Sequence, residues 1–127
     1  MKDALTNEIR RLRSAWVNSL AGLRAAIRRE QAVRTEFCAL VVAVPVAFWL
    51  GSTLSQTGLL IGSILFLLIV EILNSAIETV VDRIGPERHE LSRIAKDLGS
   101  AAVFLTALFP AGIWGAVVLS KLGFITL

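Results

Sequence analysis

The stretch IVEILNSAIETVVD, residues 69–82, decides how this chain is read. Glu71, Asn74, Ser75, Glu78 and Asp82 are spaced i, i+3, i+4, i+7 and i+11. At 3.6 residues per turn these positions share one face of an α-helix, and the opposite face is Ile, Leu and Val. The residues just before it, 37–70, carry no charge. The stripe therefore belongs to a helix that otherwise reads as membrane-spanning. An ionisable group at membrane depth is costly and by default marks a functional site turned toward protein or water.

Composition agrees with a membrane setting. Of 127 residues, 55% are hydrophobic, and the mean hydropathy is +0.71. That length is one domain, 1–127, and its apolar runs are too contiguous for a soluble fold of this size. Three spans are expected, at 35–50, 56–82 and 95–120. All have helical composition and none alternates with period two, so the expected fold class is all-α with three transmembrane helices. Pro45 lies inside the first span, where neighbouring helices can compensate its missing hydrogen bond. The second span, at ~1.5 Å per residue, is roughly 40 Å long against a ~30 Å hydrocarbon core. Its polar C-terminal part is expected to emerge at the interface.

Charge sets the expected topology. Eight of the 13 Lys and Arg residues precede the first span: Lys2, Arg10, Arg11, Arg13, Arg24, Arg28, Arg29 and Arg34. Four more, Arg83, Arg88, Arg93 and Lys96, lie in or near segment 83–96, whereas 51–58 has none. By the positive-inside rule the N-terminus and the 83–95 loop face the cytoplasm, and the C-terminus faces the periplasm. The first 36 residues have no early apolar core, so no cleavable signal peptide is expected. Net charge +3 needs no nucleic-acid partner, because the basic residues fall where anionic headgroups sit.

Residues 4–31 read as an amphipathic surface helix. Leu5, Ile9, Leu12, Trp16, Leu20, Leu23 and Ile27 form the apolar stripe, with arginines opposite. Such a helix suits a membrane surface. Trp49 and Trp114 are candidate interface anchors. Gly85-Pro86 ends the second helix, and Ser92 is the expected N-cap of the third. The lone Cys38 is read as inert, buried packing.

The residues suggest chemistry by depth. Glu71 follows the uncharged run Gly58–Val70, which places it roughly 20 Å into the bilayer at ~1.5 Å per residue. Desolvation favours the neutral form of a carboxyl group, and a carboxylate so tuned suits general-base work near neutral pH. Glu78 lies two turns on and nearer water, with Asn74 between. A carboxylate with an amide oxygen makes half of a hard-cation site, and Glu30, acidic within RREQAVRTE, is the best complement. Its alternative reading is an i, i+4 pair with Arg34. Lys96, beside Asp97, can neutralise phosphate charge, or simply snorkel. His89 is the only histidine. No nucleotide-binding glycine motif or kinase signature set is present. On these grounds an enzyme and an ion-coupled transporter both remain open.

The chain resembles the prokaryotic membrane-integral diacylglycerol kinase family. The motifs that carry the resemblance are GLRAA at 22–26, Glu30, Glu36, VEILNSAIE at 70–78, VVDRIG at 80–85, HELS at 89–92 and AKDLGSAAV at 95–103. It implies a homotrimer of three-span subunits in the bacterial inner membrane, with active sites between subunits at the cytosolic face. The implied reaction moves the γ-phosphate of ATP to the primary hydroxyl of 1,2-diacylglycerol. By position, Glu71 is implied as the base, and Glu30 and Glu78 as holders of Mg2+. ATP contacts are implied at Arg11, Asn18, Glu30, Asn74, Glu78, Glu87, Arg88, His89, Lys96 and Asp97. The acceptor lipid is implied to meet Arg11, Arg24, Ala25, Ala26 and Ile27 on the surface helix. It is further implied to meet Ala32, Val33, Arg34, Thr35 and Glu36 at the start of the first span, and Trp49, Leu50, Gly51 and Ser52 at its far end. Glu71, Ser100 and the run Trp114, Gly115, Ala116, Val117, Val118 and Leu119 complete that set. Relatives commonly carry aromatics at the positions of Asn18 and Arg88, and this chain has no tyrosine. Backbone contacts, or a phosphate pair at Arg88, are what remain there. Undecaprenol kinase of the same family is the rival activity, and a proton-coupled transporter with Glu71 as carrier the rival class.

Overall fold

The computed structural model describes residues 2–126, with side chains from Thr6 onward. Met1, Leu127 and the side chains of Lys2 and Leu5 thus lie outside the described set. Four helices follow in order: α1 (Lys2–Arg29), α2 (Gln31–Leu50), α3 (Leu54–Ile84) and α4 (Glu90–Lys121). The last three are long and apolar enough to cross a membrane. Pro45 and Pro110 sit inside α2 and α4, and neither ends its helix.

The joint between α1 and α2 differs from the expected boundaries. Glu30 alone leaves the helical region, with φ −105° and ψ 120°. Its N–H still donates to Ala26 O at 2.9 Å, and its carbonyl accepts from Arg34 N at 3.2 Å. The first helix therefore stops at Arg29, and α2 starts at Gln31 rather than 35. Arg28 and Arg29 in the last turn of α1 favour a helix end there, since cations complement the C-terminal dipole.

The turn between α2 and α3 is built from short-range bonds. Thr53 Oγ1 accepts from Gln56 N at 3.2 Å, and Gln56 Oε1 accepts from Ser52 N at 2.9 Å. This reciprocal arrangement is of the capping-box kind. Gly51 is required, because a Cβ there would collide with Thr57 Oγ1 and lie 2.9 Å from Ala47 O. Lys121 Nζ, from the end of α4, donates to Trp49 O and Leu50 O, each at 3.4 Å. A cation there satisfies carbonyls that the end of α2 leaves unbonded.

A small core lies at this end. Ala47, Leu50, Leu60 and Val117 pack together, flanked by Ile113 and Trp114. Trp114 Nε1 donates to Leu60 O at 3.2 Å. Nearer the middle, Phe66 and Phe109 meet edge-on at 6.1 Å. Most other large apolar side chains, including Val41, Val42, Phe48, Phe104 and Leu105, point outward and are exposed. That is the inside-out pattern expected where hydrocarbon, not water, is the solvent. Cys38 is exposed as well, contrary to the buried packing expected of it.

The α3–α4 loop is short, and α4 begins earlier than expected. Its N-cap is His89, whose Nδ1 accepts from Leu91 N at 3.2 Å, and not Ser92. An unprotonated imidazole nitrogen can cap as a side-chain oxygen does, so the helix captures the residues up to Ser92.

Candidate active site

The polar stripe on α3 faces inward as its spacing requires. Glu71 is 7% exposed, Asn74 8% and Ser75 7%. Glu78 and Glu30 are half-buried. Other buried hydroxyls satisfy themselves on their own helix: Ser63 on Leu60 O at 2.8 Å and Thr106 on Ala102 O at 2.7 Å. Asn74 Oδ1 and Glu36 Oε2 are buried without a hydrogen-bond partner. A native fold seldom leaves such groups unmet without a reason.

Asn74 explains its own case in part. Its Nδ2 donates to Glu78 Oε1 at 3.0 Å, fixing that carboxylate. Its Oδ1 is pressed against Gly99 of α4, where a Cβ would overlap it. The amide oxygen is therefore turned toward α4, and Asn74 reaches the site through Glu78 rather than by offering oxygen to a cation.

Four carboxylates gather around the Glu30 joint. Glu71 is within electrostatic reach of Glu78 and Glu30, and Glu36 of Glu71. Like charges within reach of one another repel, so these carboxylates share one electrostatic environment. The donors are hard oxygens, the type magnesium takes. Glu30 has no side-chain cap bond and, among the described residues, no ion pair, so its carboxylate is free; the alternative pairing with Arg34 does not form. Within the described residues no three His, Cys, Asp or Glu side chains close around a single metal position.

Beside this group lies a cleft of about 560 Å³ at the charged end of the bundle. It is lined by Asp82, Glu87, Arg88, His89 and Lys96, among others. Lys96 Nζ pairs with Asp82 Oδ1 at 2.5 Å and also feels Glu78. Asp97 instead pairs with Arg93 at 2.6 Å and does not line the cleft. Arg93 also holds Glu90 at 2.7 Å.

A second groove, about 420 Å³, runs between α1 and α3 and includes Ala25, Ala26, Glu30, Ser75 and Thr79. Two expected lipid contacts, Ala25 and Ala26, therefore stand next to the carboxylate group. Arg24, Ala32, Arg34 and Thr35 are exposed nearby, and Ile27 is half-buried.

The remaining expected residues are not brought together in one chain. Arg11 is exposed and pairs with Glu8 on its own helix at 3.1 Å. Neither it nor the exposed Asn18 lines the cleft. Trp49, Gly51 and Ser52 stand at the other end of α2, about 30 Å from Glu30 by helix rise. Val33 (0% exposed), Leu50 (7%) and Val117 (8%) are buried in their own chain, so these three side chains serve internal packing. Trp114 likewise is tied to Leu60. Gly115, Val118, Leu119 and Ser100 are exposed, and Ala116 is half-buried. Sequence reasoning did not assign Asp82 and Gly99. Asp82 was visible as the last member of the stripe, and Gly99 as the first of the small-residue run Gly99, Ser100, Ala101 and Ala102.

The profile of the family described as prokaryotic diacylglycerol kinase matches residues 17–118. The chain is similar to a diacylglycerol kinase of Escherichia coli strain K12, 50% identical over 83% of this chain and 86% of the relative. A diacylglycerol kinase of Haemophilus influenzae is 48% identical over 78% of this chain and 84% of its own length. One of Pseudomonas aeruginosa is 45% identical over 87% and 90%, respectively.

Proposed function

The chain belongs to the prokaryotic diacylglycerol kinase family, and we propose that its buried Glu71 is the base of an ATP-dependent lipid phosphorylation at the cytosolic edge of the bacterial inner membrane. It is a multi-pass membrane protein and a lipid kinase. The acceptor is 1,2-diacylglycerol. Its hydroxyl proton passes to a Glu71 carboxylate oxygen while the alcohol oxygen forms a bond to the γ-phosphorus. The bond from that phosphorus to the bridging oxygen of ADP breaks, leaving phosphatidate and ADP.

One observation carries this reading: the buried Glu71 heads a polar face of α3 along which follow, toward the charged end, a groove lined by Ile72, Ser75 and Thr79 and then a lysine-bearing cleft that begins at Val81. Lipid hydroxyl and nucleotide would meet along that one face. Phosphoryl transfer depends mainly on positioning and charge stabilisation, which such a face can supply without a dedicated nucleotide fold. Lys96 faces the phosphates as charge shifts onto the leaving oxygen. With Nδ1 occupied by the cap, a neutral His89 carries its proton on Nε2, free to donate to nucleotide. Glu30 and Glu78 would hold magnesium, which when bound neutralises charge on the β- and γ-phosphates.

The amphipathic reading of α1 is supported by its uncovered stripe: Ile9, Leu12, Trp16 and Leu20 are all more than half exposed. Lying on the cytosolic leaflet would cover it. A homotrimer is supported by two facts. Arg11 and Asn18 do not reach their own cleft, so a neighbour's α1 would be needed to bring them to nucleotide. Gly58 and Gly62 of α3 have open space where a Cβ would stand. No contact inside the subunit requires them to be glycine, whereas close helix approach between subunits would.

The test is direct. Purified protein in mixed micelles receives radiolabelled ATP with dioleoylglycerol or undecaprenol. Label in phosphatidate is expected. Label in undecaprenyl phosphate alone would replace the acceptor, and no lipid label would sink the reading.

A further inference from the structure

The Asp82–Lys96 pair is, among the described residues, the one ion pair that joins two helices. Glu8–Arg11, Glu90–Arg93 and Arg93–Asp97 each lie within one helix. The bundle does not depend on it. Asn74 against Gly99, Phe66 against Phe109 and Trp114 on Leu60 already fasten α3 to α4. Both partners also reach water: the Asp82 side chain is 67% exposed and that of Lys96 40%. A pair so exposed shifts an equilibrium by no more than about fivefold. It is weak enough to be exchanged, and both members line the cleft.

We propose that Asp82 is a positioning residue that competes with nucleotide for the Lys96 ammonium and so sets nucleotide affinity. This rests on the reading of the cleft as the ATP site. In the empty cleft Asp82 holds Lys96 at 2.5 Å. An incoming polyphosphate carries more negative charge than one carboxylate and takes the ammonium over. The lysine can make the exchange because its charge is compact and its four-carbon stem flexible. Once it has moved, Asp82 stands unpaired near the nucleotide. Its pull on the ammonium opposes long residence of ADP, and Lys96 returns to it when ADP leaves. Glu78 is within electrostatic reach of the same ammonium, so two carboxylates draw Lys96 back toward α3. Asp82 touches neither substrate. Its whole effect passes through Lys96.

The experiment uses the full chain in lipid–detergent micelles and measures affinity for magnesium-bound AMP-PNP by calorimetry, with KM for MgATP and inhibition by ADP alongside. Asp82→Asn should tighten AMP-PNP binding about two- to fivefold, lower KM by a similar factor and strengthen ADP inhibition. Lys96→Met should weaken binding. In the Lys96→Met background Asp82→Asn should change affinity by less than about 1.5-fold, since the two residues act as one unit. A purely structural Asp82 would not give this non-additivity. Asp82→Ser, which cannot hold the ammonium as an ion, should repeat the result if the Asn variant folds poorly. Unchanged or weaker binding in both Asp82 variants overturns the proposal. So does an equal effect in both Lys96 backgrounds, because Asp82 would then act as bulk charge. If Lys96→Met binds as tightly as the parent, the nucleotide reading of the cleft falls first. If it binds weakly while the Asp82 variants do not tighten, only the exchange is refuted.

Discussion

Replacing Gly99 by alanine tests whether Asn74 is held where Glu78 needs it. In an ordinary helix interior this change stabilises by about 1 kcal/mol, because glycine gives up more backbone freedom. Here the new Cβ would overlap Asn74 Oδ1 and stand 3.2 Å from Asn74 Cγ. Asn74 has little room to yield: it is 8% exposed, and its Nδ2 donates to Glu78 at 3.0 Å. Swinging it away breaks a hydrogen bond to a charged group, worth about 1.5–3 kcal/mol. Keeping it in place overpacks the interface, at about 1–3 kcal/mol. By either route, set against the helix gain of about 1 kcal/mol, the variant should be up to about 2 kcal/mol less stable, with KM for MgATP raised about tenfold as Glu78 loses its orientation. Thermal unfolding in micelles and steady-state kinetics read the two effects. Gly112→Ala is the control, since nothing lies within 4 Å of a Cβ there, and it should be neutral or slightly stabilising. Adding Asn74→Ala to Gly99→Ala should recover stability by removing the clash, but not the nucleotide affinity. A Gly99→Ala protein as stable and active as its parent would refute the reasoning.

Glu71→Gln keeps the shape and hydrogen-bonding reach of the side chain but cannot accept the proton. Turnover should fall at least about a hundredfold while assembly is unchanged, as judged by phosphatidate formation and size-exclusion chromatography. Glu78→Ala should weaken magnesium–nucleotide binding about tenfold or more; equal affinity by calorimetry would leave Glu78 a packing role only. Trp114→Phe loses the bond to Leu60 O but keeps most of the ring. It should cost about 1 kcal/mol in thermal unfolding and leave KM for MgATP unaltered.

The spans and the acidic face were legible because they depend on one periodicity. Glu71, Asn74, Ser75 and Glu78 fall on a single face whatever packs against it, and a run without charge from 37 to 70 reads the same in any fold. The joint at Glu30 was not legible. No Gly or Pro marks it, and what ends α1 is one residue turned extended between two stretches that both favour helix. The cap of α4 was misplaced for a related reason: Ser92 is the commoner capping residue, but His89 lies where the chain leaves the loop. Pairings across helices were out of reach altogether. Lys96 meeting Asp82, and Gly99 meeting Asn74, depend on the rotation of α4 against α3, which no local pattern records. The burial of single apolar side chains shows the same limit. Val33, Leu50 and Val117 are apolar on apolar helices, and only the packed bundle reveals that they face their own chain.

The fastening at the uncharged end has a consequence for the opposite one. Gly51, the Thr53–Gln56 bonds and the Lys121 clamp fix where α3 begins against α2 and α4. From there α3 climbs as a rigid rod, and Glu71 stands about 26 Å above Leu54 by helix rise. On the proposed reading, the base is thus measured off from the far end of its own helix. Lengthening the acyl chains of the host lipids raises the headgroup plane but not the carboxylate. On the proposed reading of Glu71 as the base, activity should therefore depend on bilayer thickness and peak where the height of Glu71 and that of the lipid hydroxyl coincide.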